Sequence, residues 1–175
     1  VQDAAYASLL RSKRQDLHWR IGQALEANYP EHARVEPEVV AHHYTQAGRV
    51  LEAAGYWAAA AHRSLDRSAN VEALGHASKG LELLGSIAQT PQRDRLELDL
   101  EIVRGTAYRA VKGFASSEVE RSFARASAIC TRLDDIPRLI DARRGLFSCY
   151  YARGALALAR EQGNEVSAAG QTTGD

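Results

Sequence analysis

The sequence has no methionine at all and only two cysteines, Cys130 and Cys149. Neither stands in a CxxC pair or at zinc-ligand spacing, and two cysteines cannot staple a chain of this size, so a disulfide scaffold and a zinc module are both excluded. Reduced thiols in a cytoplasmic protein are expected. Charge of one sign is lacking too: Lys and Arg number 22, and so do Asp and Glu. No overall field draws the chain to nucleic acid, an anionic membrane or an acidic substrate, which leaves only local patches to consider. No apolar run approaches the roughly 20 residues of a membrane span, and no basic-then-apolar leader precedes a cleavage site. Missing as well are a glycine-rich phosphate loop, the paired metal-binding aspartates of a nucleotide cyclase and a helix-turn-helix output motif. The chain opens on "VQDAAYASLLRSKRQDLH", inside a helical pattern, and reads as a segment of a larger protein. Tyr6, Leu9 and Leu10 are then expected to lie exposed, to pack on another copy or to fold back over the first repeat, with self-association through the cut ends as one outcome.

What is present is 45% apolar residues, enough for a real core. Proline is scarce, and all four prolines fall where helices begin: Pro30, Pro37, Pro91 behind the cap Thr90, and Pro137 behind Asp135. Ser12 with Gln15 and Ser117 with Glu120 have capping-box spacing, Asn70 precedes another start, and Gly48, Gly113 and Gly154 sit at expected left-handed stops. These signals bound helices near residues 3–9, 12–28, 37–47, 50–67, 70–85, 91–112, 117–133 and 136–153, with a weaker one over 155–168. The polar tail, 169–175, is expected to be disordered. One stretch, "RLELDLEIV", alternates apolar and charged residues from Leu96 to Ile102 with the period of a strand. Its Leu and Glu content, and the want of any pairing strand, favour helix. On a helix, Leu96, Leu100, Val103, Ala107 and Val111 form one stripe while Leu98 and Ile102 form a second on nearly the opposite side. Two stripes suit a helix packed between neighbours, as in a stacked array.

The repeat signal agrees. The tetratricopeptide pattern sets an aromatic at its fourth position and small or apolar residues at 7, 8, 11, 20, 24 and 27, because close helix crossings tolerate only small side chains. Trp57, Ala60, Ala61, Ser64, Ala73, Ala77 and Gly80 fill that spacing without insertion. Looser frames place Val103, Thr106, Ala107 and Ala110 ahead of Val119, Phe123 and Ala126, then Leu146, Phe147, Tyr150 and Gly154 ahead of Ala159, breaking at Gly163. The expected fold is all-α: a tetratricopeptide-like, right-handed superhelix of antiparallel helix pairs.

"VQDAAYASLLRSKRQDLHWRIGQALE", "VVAHHYTQAG", "AGYWAAAAHRSLDRSANVEALGHASKGLELL" and "GFASSEVERSFARASAICTRL" resemble a bacterial family of multidomain signalling proteins. In that family a class III adenylate or guanylate cyclase domain, or a LuxR-type output domain, is joined to a STAND-type ATPase and a C-terminal tetratricopeptide-like region. The resemblance covers about residues 1–160 and implies that 1–35 are helices at the junction with an upstream ATPase, with degenerate repeats over 36–168. It implies a regulatory, non-catalytic segment that binds neighbouring domains or a peptide. None of the family's chemistry falls on these residues, so no cofactor and no metal are expected here.

Applied to the three frames, the groove positions of such arrays mark His62 and Asp66, then Glu101, Arg104, Tyr108 and Lys112, then Asp141, Arg144, Ser148 and Tyr151 as a partner surface. A solvated polar stripe accounts for the same residues equally well. Adjacent His42 and His43 point about 100° apart on a helix and read as core or capping residues, not as a metal pair. The basic run Arg11, Lys13, Arg14 and Arg20 supports an alternative, a nucleic-acid-binding helical domain of a transcriptional regulator, but it lacks interleaved aromatics. A small helical enzyme would rest on His62 and Asp66 alone, which stand four apart on one helical face.

Overall fold

Helix starts in this chain are set by proline and by side-chain caps. The computed structural model describes residues 11–173, so the helix expected over 3–9, with Tyr6, Leu9 and Leu10, lies outside the described residues. In chain order the helices are α1 (Arg11–Asn28), α2 (Pro30–Val35), α3 (Pro37–Gln46), α4 (Val50–Asp66), α5 (Asn70–Leu84), α6 (Pro91–Lys112), α7 (Ser117–Leu133), α8 (Ile136–Ala152) and α9 (Leu156–Thr173). No strand occurs among the described residues, and Leu96–Ile102 is helical throughout. No helix among them is long and apolar enough to cross a membrane.

Prolines occupy the first turns of α2, α3, α6 and α8, where the missing N–H costs nothing. Thr90 Oγ1 accepts from the Arg93 amide at 3.2 Å, and Asp135 Oδ1 from the Arg138 amide at 3.2 Å. Other starts differ from expectation. The cap of α7 is Ser116, which accepts from the Val119 amide at 3.3 Å, while Ser117 donates to Glu118 one residue inside the helix. Asn70 is the first residue of α5 and donates to the Ser68 carbonyl at 3.2 Å instead of capping. Ser12 lies within α1, already helical at Arg11. The short α2 carries no sequence periodicity; Pro30 starts it and an Arg34–Glu31 pair at 2.9 Å braces it. Helix α9 runs through Gly163 and past residue 168 into the segment expected to be disordered. Its middle is tied to α8 by an Arg143–Glu165 ion pair, and Ala168 and Ala169 carry the helix onward.

Each helix packs on its neighbours in the chain, and α1 also touches α3, α4 touches α6 and α6 touches α8. Among the described residues the core follows the same order as four successive clusters. Ala33, Val40, Ala41 and Tyr44 meet Ala53, Trp57 and Ala60 of α4 in one of them. On its other side α4 offers Ala54, Ala58 and Ala61 to α5 and to Leu100, Val103 and Ala107 of α6. The opposite flank of α6 places Leu98 against Ala126, Ile129 and Cys130 of α7 and Leu139 and Ala142 of α8. Val119 and Phe123 of α7 then meet Leu146 and Cys149 of α8. Helix α6 thus packs on the two stripes read from the sequence, with Leu96 and Ile102 half-buried and Val111 exposed.

The charges that alternate with those stripes have their own partners. Asp94, Glu97 and Glu101 form an acidic line on α6, all at least 94% buried. Arg132 of α7 donates to Asp94 at 2.7 Å, and Arg125 of α7 to Glu97 at 2.6 Å, with Arg93 donating to Glu97 at 2.6 Å. Buried carboxylates need such partners, because desolvation of an unpaired charge costs more than any packing gain nearby. The strand-like period of "RLELDLEIV" is therefore the superposition of two apolar seams and one seam of ion pairs.

Candidate functional site

The ten residues marked by the repeat frames sit in unlike surroundings. His62 and Asp66 are exposed on α4. Asp99 on α6 accepts from Arg138 of α8 at 2.6 Å, while burial raises its carboxyl pKa. The α6 group turns toward α7 instead. Glu101 is buried and accepts from Arg104 at 2.7 Å; Arg104 Nε also donates to Ser122 Oγ at 3.2 Å. Tyr108 packs against the Val119 and Phe123 cluster, and Lys112 pairs with Glu118 at 2.5 Å. These four are spent holding α6 to α7. Gly105 of α6 lies beneath the Phe123 ring of α7, while Ala107, which the frame marks, is buried in the cluster with Ala54, Ala58 and Ala61 of α4. On α8, Asp141 and Arg144 face solvent 3.7 Å apart, Ser148 donates to the Arg144 carbonyl, and the exposed Tyr151 stacks on Phe147 at 6.1 Å between ring centres.

The first frame fares differently, since Trp57, Ala60, Ala61, Ser64, Ala73, Ala77 and Gly80 are all buried. Trp57 projects from α4 between α3 and α5, and its Nε1 donates to Thr45 Oγ1 at 3.0 Å; that hydroxyl donates in turn to the Ala41 carbonyl at 2.7 Å. The His76 ring of α5 stacks on the indole at 5.4 Å, and Lys79 holds its ammonium 4.4 Å from the ring centre. Burial lowers the His76 pKa, so the stacked imidazole is neutral at pH 7. Above this tryptophan a cleft of about 440 Å³ opens between His42 and Thr45 on one side and Lys79, Glu82 and Leu83 on the other, with Ser86 at its end. Sequence reading identified Trp57 as a packing residue but not the cleft, whose walls come from helices separated in sequence. The spacing of His76, Lys79 and Glu82 at successive turns of α5 is the one signal that pointed there.

Thr45 also lines a second, polar recess of about 270 Å³ with Arg11, Arg14, Gln15, Gln46 and Gly48. Beside it stand three imidazoles. His18 of α1 reaches α3, its Nδ1 2.8 Å from His43 Nδ1, and its ring centre lies 6.0 Å from that of His42. One proton lies between the two Nδ1 atoms, so one ring donates and the other accepts. Burial lowers the pKa of both His18 and His43, and the neighbouring imidazoles lower it further. Among the described residues no group of three or more histidines, cysteines or carboxylates is arranged to hold a metal ion. The contact joins α1 to α3, as does Tyr44, which donates to Glu26 at 2.5 Å.

No protein-family model matches the chain, and no solved structure matches it. Over 132 residues, 75% of its length, the chain is 30% identical to an uncharacterized protein of Rhizobium meliloti (strain 1021). It spans only 13% of that relative's length.

Proposed function

We propose that this chain is a tetratricopeptide-like scaffold, a right-handed superhelix of helix pairs that binds protein and makes or breaks no bond. In this reading it is a cytoplasmic regulatory segment of a larger bacterial signalling protein, of the kind in which a STAND ATPase is linked to a nucleotide cyclase or a LuxR-type output domain. The observation that carries the reading is the division of the core into four clusters handed from helix to helix, with the seven Trp57-frame positions all buried. Such a stack has shape to offer: clefts between rods, with polar rims and apolar floors. The 13% share of a longer relative fits a module within a larger chain. Regulation then works by docking: a partner or neighbouring domain that binds one arrangement of the stack more tightly shifts the equilibrium of the whole protein.

The basic run is divided in the folded chain, which disfavours the nucleic-acid alternative. Arg20 pairs with Asp16 at 3.0 Å, while Arg11 and Arg14 line the recess beside two glutamines. Panning the purified chain against a random peptide display library, alongside anisotropy titration of labelled duplex DNA at 50 and 200 mM salt, tests the proposal. Recurrent peptide sequences with saturable binding, and little DNA binding, are expected. DNA binding that collapses steeply with salt, with no peptide enriched, would replace this reading by the alternative.

A further inference from the structure

Lys79 and Arg11 differ from the paired arginines of α6 to α8. On α6 to α8, Arg93, Arg104, Arg125, Arg132 and Arg138 each hold a carboxylate. Among the described residues, no carboxylate lies within ion-pair distance of Lys79, Arg11 or Arg49, and all three are exposed. Lys79 rests over Trp57, and Arg49 over Trp19 with 5.2 Å between guanidinium carbon and ring centre. An exposed cation–π contact is weak beside a charge-assisted hydrogen bond to a carboxylate, so an arriving anion can draw Lys79 off the indole at little cost. That movement uncovers the apolar floor made by Trp57 and Leu83.

Resting on the protein-binding reading, we propose that the Trp57 cleft and the adjoining recess form one site for an acidic peptide segment carrying a bulky apolar side chain. The apolar side chain enters the cleft between Thr45 and Leu83. Its flanking carboxylates take Lys79 at the rim and Arg11 in the recess, Thr45 lying on the path between them because it lines both hollows. Among the described residues Glu82 is the one carboxylate lining either hollow, and it stands one turn along α5 from Lys79, so the acidic flank must take Lys79 from the side away from it. The chain as a whole is neutral, so Lys79 and Arg11 act at this site through their local charge and not through net charge. The face differs from the one the repeat frames marked: it lies between α3 and α5, and its specificity comes from pairing one apolar contact with two charges.

The test uses the full chain and three labelled heptapeptides: one with four carboxylates around a leucine–phenylalanine pair, its version with all four as amides, and its version with the pair replaced by alanine. Fluorescence anisotropy is expected to show saturable binding of the first and at least tenfold weaker binding of the other two. Lys79→Glu, at an exposed position, should weaken the first peptide at least tenfold with unchanged helicity by circular dichroism, and Lys79→Arg should restore it. Equal affinity for the acidic and amide peptides, or no change in Lys79→Glu, overturns the proposal. So does preferential binding of a labelled oligothymidylate that displaces the peptide. If panning enriches peptides that bind as well to Lys79→Glu, the scaffold reading stands and this site falls; if no peptide is enriched, both fall.

Discussion

The ring of Phe123 occupies the space that Gly145 leaves empty: a Cβ built on Gly145 would lie 2.5 Å from the ring carbons. Gly105 faces the same ring from α6, so one aromatic side chain of α7 sits between glycines of two helices. Contact this close lets α6 and α8 approach α7 on both sides, and burying such a ring stabilises the fold by roughly 1.5–3 kcal/mol.

Alanine at these glycines therefore separates packing from helix propensity. Gly145→Ala gains up to about 1 kcal/mol of propensity but forces the ring aside, and is expected to destabilise by about 1–3 kcal/mol net. Gly75→Ala on α5 meets nothing within 4 Å and should stabilise by up to about 1 kcal/mol. Urea denaturation of both variants checks this; a Gly145→Ala midpoint at or above that of the parent would refute the close contact.

Acid should weaken the junction of α1 with α3. His18 and His43 have pKa values lowered from the usual 6.5 by burial first and by neighbouring imidazoles second. The unfolded chain binds protons at 6.5 before the folded chain does, so the stability these groups confer is complete above 6.5 and declines as pH falls through 6.5 toward the lower folded values. Protonating both rings also removes the acceptor from the 2.8 Å Nδ1 contact. Urea midpoints measured at pH 7.5 and 5.0 should drop more for the parent than for the double variant His18→Asn, His43→Asn. Equal drops would show that carboxylates alone set the acid response.

Helix positions were legible in the sequence because their signals are local. Thr90 with Pro91, Asp135 with Pro137, and Gly48, Gly113 and Gly154 act within one turn, and the structure uses each of them. The two apolar stripes of α6 were legible for the same reason. The surroundings of the marked partner residues were not. Whether Arg104 meets solvent or Ser122 depends on the rotation of α6 against α7, which the fit of Gly105 to Phe123 decides, and no window of sequence contains both residues. The Trp57 cleft is likewise a gap between α3 and α5, and a gap leaves no periodicity behind. His18 of α1 approaches His43 of α3, with α2 between them in sequence, for a reason equally remote from any motif.

Both thiols should be inert while the chain is folded. Cys130 is fully buried, and burial pushes its pKa up to about 11; Cys149, also buried, is raised for the same reason. The thiolate is the reactive form, so a disulfide reagent at pH 8 is expected to modify neither residue within the dead time and both after unfolding in urea. Rapid labelling of Cys130 in the native chain would mean that α7 and α8 open readily at the Leu98 seam.

The acidic line on α6 gives the sharpest contrast, because its members sit in unlike surroundings. Asp94 accepts from Arg132, Arg93 and Gln89, and the Arg132 hydrogen bond holds its pKa below the usual carboxylate value. Replacing it by Asn leaves Arg132 without its anion, and Asp94→Asn is expected to cost about 1–3 kcal/mol. Glu101 is raised by burial, with Arg104 only partly offsetting it, and its Oε2 has no hydrogen-bond partner. Glu101→Gln removes a poorly solvated charge and keeps the shape, so it should be neutral or stabilising by up to about 1 kcal/mol. The same pair has opposite pH signatures. The Asp94 contribution is present above its unfolded pKa and is lost as pH falls through the lower folded value, whereas Glu101 destabilises the fold above its unfolded pKa, most above its raised folded value, and that penalty is relieved on acidification. Urea midpoints of both variants at pH 7 and pH 3 check the assignment: Asp94→Asn should lose less than the parent on acidification and Glu101→Gln more, and a reversal of that order would exchange the roles given to the two carboxylates.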